Sequence, residues 1–440
     1  MQKFLEDMEG KKLWKRAANA IPGGNGLLSK RPDRYAPDIW PTYFSKAKGI
    51  SIWDLEGNEY KDMAQMGIGT AILGYADEDV DKNVREAINK GINTTLNCPE
   101  EVLLAEKLLE LNPFAGGVKF SRTGGEAMSM AVRIARAYSG KDKIAFSGYH
   151  GWHDWYLATN LSGDKLGTHL LSGLDPKGVP SGLQNTIHPF TYNNLDELKS
   201  IVSNHDIGVI VIEGARYDFP TQEFLDGISK IAKEHNIIIV VDEITSGWRL
   251  TDGGVYKLYD FKPDIVVYGK AMGNGYAISA VVGKKEVMDI AQDTFISSTF
   301  WTERVGFVAA LSTIKKITDN KVWEHLIPIG EQIGNKWKEI ATKYKLDIVI
   351  TDFKPLITFK FQYGELNSAL YTLFIQEMLK RGYIASNSIY LSYAHKNEDI
   401  LEYFIIVDEV FKYIKKCIDT NSVLDALETK IKDEGFKRLN

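Results

Sequence analysis

Apolar and polar residues follow two alternating rhythms between residues 61 and 315. The first is the short unbroken run: VKF (118–120), KIAFS (143–147), IGVIVIE (207–213), NIIIVVDE (236–243), DIVVYG (264–269) and ISAVVG (278–283). Runs rich in Ile and Val, without strict alternation, predict strands buried on both faces. The second is the helical period, as in EAMSMAVRIARAYS, where Met128, Ala131, Val132 and Ala135 keep the i, i+3, i+4, i+7 spacing. Strands alternating with helices predict an α/β domain built on a mostly parallel sheet covered by helices.

The flanks differ. Residues 1–60 read as a mixed arm, with a helix over about 3–20, the turn-rich IPGGNG, and SIWDLEGNEYKDM, in which Glu56-Gly57-Asn58 makes a hairpin turn. From 316 to 440 the pattern is helix-rich, with a few short strands near 347–361, which predicts a smaller α+β domain. The chain shows no internal repeat and no low-complexity segment.

Composition changes this picture by exclusion. A net charge of -5 leaves no basic field for nucleic acid or an anionic membrane. Cys98 and Cys417 lie far apart and no Cys/His cluster occurs, so neither a disulfide framework nor a metal site is expected. The first 20 residues scatter charge through what a signal peptide would keep apolar. No apolar run approaches the roughly 20 residues that span a bilayer. The expectation is a soluble cytoplasmic protein.

In a parallel α/β sheet, ligands bind at the carboxyl ends of the strands. After VKF come Ser121-Arg122-Thr123-Gly124-Gly125-Glu126, opening a helix. After KIAFS come Gly148-Tyr149-His150-Gly151; the next three runs end in Glu213, Asp242 and Lys270. Each has two readings. SRTGGEA is a phosphate-sized anion site at a helix N-terminus, or a plain N-cap; it is neither GxGxxG nor GxxxxGK[ST]. Tyr149 stacks on a flat ligand, or packs locally among Trp152, Trp155 and Tyr156. Asp242 meets a protonated ring nitrogen, or makes a structural ion pair, with Arg249 as one partner. Lys270 is a carbonyl nucleophile of lowered pKa, or a lysine snorkelling from a strand end. Together, a phosphate cradle, a stacking ring, an acid and an imine-forming lysine are what pyridoxal 5′-phosphate (PLP) requires.

Four ordered segments carry a resemblance. FSRTGGEA is similar to F-x-N-S-G-T-E-A, GYHGWHD to a Y-H-G segment, VVDEITSGWR to D-E-V-x-x-G-F-R, and YGKAMGNGYAISAVVG to a lysine segment. These belong to the class III, fold-type I PLP-dependent aminotransferases, and the chain resembles their glutamate-1-semialdehyde 2,1-aminomutase-like branch from residues 21–24 to 394–400. The resemblance implies a large domain (61–315) with a seven-stranded, mostly parallel sheet between helices. It also implies a small domain formed by the arm (1–60) and the C-terminal segment (316–440).

The resemblance also implies roles. Lys270 would form the Schiff base and shuttle protons, and Asp242 would bond the pyridinium nitrogen. Ile244 and Tyr149 would cover the two ring faces, and His150 belongs to the same segment as Tyr149. Thr123, Gly124 and Gly125 would hold the phosphate, with Glu213 in support near the ring. Thr299, in SSTFWTER, matches a threonine that reaches the phosphate of the neighbouring subunit, which implies a homodimer with shared active sites.

The departures lie partly on the substrate side. Arg122-Thr123-Gly124-Gly125 replaces Asn-Ser-Gly-Thr, so one phosphate-loop hydroxyl is lost. The aminomutase arginine after the PGG turn is absent from NGLLSKRPD, which leaves Lys30 or Arg31 to serve. The aminomutase tryptophan of W-G-P-M-I-L-G-H is Ile68. Arg216 and Arg304 are further candidates for a substrate carboxylate, against ordinary ion-pair roles. The expected activity is amino transfer from a glutamate-like donor to a carbonyl acceptor through pyridoxamine phosphate. The alternatives are an intramolecular aminomutase and a non-catalytic PLP-fold binding protein.

Overall fold

The computed structural model describes residues 9–436. The predicted arm helix is observed over Gly10–Ala20 with Glu9 as its extended N-cap, the predicted residues before Glu9 lying outside the described ones. Three strands follow, β1 (Phe44–Lys48), β2 (Ser51–Asp54) and β3 (Glu59–Met63). β2 and β3 pair antiparallel about the expected turn, where Gly57 has φ 85°.

Seven strands then make the large sheet: β4 (Gly117–Ser121), β5 (Lys143–Ser147), β6 (Ile187–Pro189), β7 (Ile207–Glu213), β8 (Ile238–Asp242), β9 (Ile265–Tyr268) and β10 (Ser279–Gly283). Their order is β4-β10-β9-β8-β7-β5-β6. All neighbours are parallel except where β10 runs antiparallel between β9 and β4. Every residue of β7, β8, β9 and β10 is buried. Each buried Val or Ile contributes roughly 1.5–3 kcal/mol, which is why this centre needs no alternation. The helix Gly124–Ser139 supplies part of the cover, with Met128, Ala131, Val132 and Ala135 in the core.

After the helices Arg304–Asp319 and Val322–Tyr344 come β11 (Ile348–Ile350), β12 (Leu356–Phe361), β13 (Tyr383–Ala385) and β14 (Ser388–Tyr390). The chain forms two compact units, residues 78–324 and the remainder, 1–77 with 325–440. Residues 61–77 group with the smaller unit because β3 pairs in parallel with β13. The compositional break at 316 falls inside the helix Arg304–Asp319, since a change in residue usage does not mark a change in packing. Among the described residues, no helix is long and apolar enough to cross a membrane.

Candidate active site

The carboxyl edge of the large sheet gathers the predicted groups. β4 ends in the loop that starts the helix Gly124–Ser139 through a capping box: Thr123 accepts from the Glu126 amide, while the Glu126 carboxylate accepts from the amides of Arg122 (3.0 Å) and Thr123 (2.9 Å). The first-turn amides of Gly124 and Gly125 have no acceptor within the helix and sit at its positive end. A Cβ on Gly124 would lie 2.9 Å from Ile244 Cδ1, so the loop and Ile244 touch only because that residue is glycine.

Asp242, buried at the end of β8, is held on two sides. Its Oδ2 is 2.9 Å from His150 Nδ1, and its Oδ1 accepts from the Ile244 amide at 3.0 Å. His150 Nε2 is 3.1 Å from the Ser147 carbonyl. Both ring nitrogens of His150 are thus engaged, which fixes the plane of the ring beside Asp242. Glu213, ending β7, takes the Tyr149 amide (3.1 Å) on one oxygen and Arg216 (2.9 Å) on the other. The Arg216 guanidinium also lies 5.5 Å from the Tyr149 ring centroid.

Lys270 stands just past β9. Its φ of 41° is left-handed, a conformation costing a non-glycine residue about 1–3 kcal/mol and typical of functional positions. Gly269 before it must be bare, because a Cβ would lie 2.9 Å from Ser279 Oγ. Lys270 Nζ donates to Thr245 Oγ1 at 2.8 Å, and Arg216 Nη2 approaches the same hydroxyl at 3.4 Å. Burial, seconded by Arg216 and opposed by Asp242, lowers the amine from the lysine range to about 7. Half the amine is therefore unprotonated near neutrality. Reductive methylation of the PLP-free protein, read by mass spectrometry, should climb at Lys270 to half its maximum near pH 7 and level off above it. An ordinary lysine would still be climbing at pH 9.

The remaining candidates lie in other segments of the chain. Arg304 is committed to Glu100 by two hydrogen bonds (2.6 and 3.0 Å), and its amide donates to Ile92. Thr299 is exposed, in the short turn Thr299–Thr302. Lys30, Arg31 and Ile68 belong to the smaller unit. There Lys30 is exposed, while Arg31 is buried and paired with Asp33. Ile68 sits in a turn with φ 61°, pinned by Asp62, whose carboxylate accepts from the amides of Ala64, Gln65 and Met66.

Two contacts at the site have no signal in the sequence. Thr245 lies inside the DEITSG segment, but nothing in its spacing announces a contact with Lys270. Arg122 replaces the family asparagine and donates to the carbonyls of Phe300 (2.7 Å) and Trp301 (3.3 Å), tying the cradle loop to the Thr299 turn.

A seven-stranded, mostly parallel sheet of this order is that of a fold-type I PLP-dependent transferase. The FumI protein of Sphingopyxis sp. MTA144, solved in its PLP internal aldimine form, matches with a TM-score of 0.85 at 23% identity, over 96% of this chain and 98% of that one. The chain belongs to the class-III aminotransferase family, whose model matches residues 35–351. It is 32% identical to the 3-aminobutyryl-CoA aminotransferase of Cloacimonas acidaminovorans over 92% of its own length and 97% of the relative's. It is 31% identical to the glutamate-1-semialdehyde 2,1-aminomutase of Nitrosopumilus maritimus over 89% and 96% of the two chains. The protein is a PLP-dependent aminotransferase. Its residues fit that cofactor: bare glycines and open amides suit a phosphate, and a buried amine of lowered pKa suits an aldehyde.

Proposed function

We propose that Lys270 is the amine that engages PLP, and that the enzyme moves an amino group from a glutamate-like donor to a carbonyl acceptor. The observation carrying this is the Lys270 amine itself, lowered to about 7 and hydrogen-bonded to Thr245 at the sheet edge. When bound, PLP supplies an aldehyde for imine formation and an electron-poor ring that stabilises negative charge on a substrate carbon. Thr123, Gly124 and Gly125 would hold its phosphate, and Tyr149 and Ile244 its ring faces. Asp242, oriented by His150, would keep a proton on the ring nitrogen. Lys270 Nζ is free to take a proton at one carbon and return it at another, because its pKa lies near the working pH.

Arg216 is the better of the two arginine candidates for the donor carboxylate, since it shares Thr245 with Lys270 while Arg304 is occupied by Glu100. Glu213 is its resident counter-ion. Arg216→Gln should raise the KM for a dicarboxylic donor by about tenfold or more with a smaller change in kcat. An unchanged KM would remove Arg216 from substrate binding.

The working unit is a cytoplasmic homodimer with Thr299 reaching the partner's site. Phe295, Leu96 and Phe300, which are 89%, 82% and 64% exposed, are the apolar side chains this reading places at the subunit contact. Arg304, which joins the 92–100 and 299–304 segments, braces that face. Phe295→Asp with Phe300→Asp should yield monomers in sedimentation equilibrium; a persistent dimer would refute this face. The transfer reaction is tested by supplying glutamate with a carbonyl acceptor and measuring released 2-oxoglutarate, which an intramolecular aminomutase would not form.

A further inference from the structure

The cradle lacks a hydroxyl at Gly125, and a different side chain fills the vacated volume. A Cβ on Gly125 would lie 3.1 Å from His153 Cδ2, 3.2 Å from His153 Nε2 and 3.3 Å from Trp152 Cδ1. Two residues before His153, a Cβ on Gly151 would lie 3.1 Å from the Gly125 α-carbon. The 151–153 turn is thus pressed onto the first turn of the Gly124–Ser139 helix. The imidazole edge lies against the point where a side chain at 125 would begin. Trp152 braces the ring, the two centroids being 4.4 Å apart. The backbone of His153 is fixed as well, its carbonyl accepting from the amides of Tyr156 (2.9 Å) and Leu157 (3.1 Å).

Nε2 of His153 is shielded from solvent and hydrogen-bonds to no protein group. Buried polar atoms are nearly always paired, so an orphan at a ligand cradle marks the place of a ligand atom. Glu126, whose charge acts on the imidazole, spends its own carboxylate on the loop amides. It is therefore bound to the loop and makes no hydrogen bond to the imidazole.

We propose that His153 is a cofactor-binding residue, donating from Nε2–H to the PLP phosphate in place of the hydroxyl lost at position 125. This rests on the assignment of Thr123, Gly124 and Gly125 as the phosphate site. With His153 present a threonine at 125 is crowded, and with glycine at 125 the imidazole has room.

The test is binding rather than turnover. PLP-free protein is titrated with PLP and with pyridoxal, which lacks only the phosphate, following tryptophan fluorescence. His153→Ala should weaken PLP by roughly 10- to 100-fold, the range of a hydrogen bond to a charged group, and leave pyridoxal within about twofold. Adding Gly125→Thr to His153→Ala should recover most of the lost affinity, whereas Gly125→Thr alone should weaken PLP. Unchanged PLP affinity in His153→Ala, or equal losses for both ligands, overturns the proposal. Thr123→Ala separates two kinds of failure. If it erodes the preference for PLP over pyridoxal while His153→Ala does not, only the histidine is misassigned. If neither does, the phosphate site itself is wrong.

Discussion

Lys270→Ala is expected to cut turnover by about 10³-fold or more, the scale of losing a nucleophile and a positioned general base together. It should also remove the visible colour of the lysine-bound cofactor. The fold should survive. Lys270 strains the backbone at φ 41° and buries an amine that pays for desolvation, as its lowered pKa records. Alanine keeps the backbone strain, since it too carries a Cβ, but removes the buried amine and its desolvation cost, so the melting temperature of the PLP-free protein should hold or rise. Added methylamine should restore part of the activity, because an exogenous base can enter the vacated space. A variant that kept both colour and turnover would refute the assignment of Lys270.

Asp242→Asn is expected to cost about 10²-fold or more in kcat. A hydrogen bond involving a charged group is worth roughly 1.5–3 kcal/mol, and each 1.36 kcal/mol is tenfold in rate. The amide also disturbs a paired site, because His150 Nδ1 lies 2.9 Å from the Oδ2 that an NH₂ group would replace in one orientation. PLP should still bind, since Thr123, Gly124, Gly125 and Lys270 are untouched. Loss of kcat with retained colour would separate Asp242 from the phosphate cradle. Unchanged kcat would exclude it from the ring nitrogen.

Much of this fold was legible in the sequence because its centre is built from apolar runs. KIAFS and IGVIVIE became strands with the predicted bounds. The edge strand β6 was not legible. Ile187–Pro189 is three residues long and ends in proline, so it has neither the length nor the composition of a buried strand. Nor was the reversed direction of β10, since a run buried on both faces reads the same either way. The predicted groups at the sheet edge were readable as strand ends, and the resemblance gave them roles.

What sequence could not supply were contacts between distant segments. Arg304 meets Glu100 across 204 positions, and Arg122 reaches Phe300 across 178. Neither pair has a spacing that signals it. The same is true of His150 and Asp242, 92 positions apart, although both had been singled out separately. His153 went unnoticed because it stands in an aromatic-rich stretch whose plain reading is local packing. Only the close approach to Gly125 distinguishes it.

The most direct test of the central claim is a single half-reaction. PLP-loaded enzyme is mixed with an excess of glutamate and no acceptor, and 2-oxoglutarate is counted per subunit. The account predicts a burst of one 2-oxoglutarate per subunit that then stops, and no burst from Lys270→Ala. Absence of the matching keto product from the wild-type protein with every amino donor tried, or an equal burst from Lys270→Ala, would contradict it.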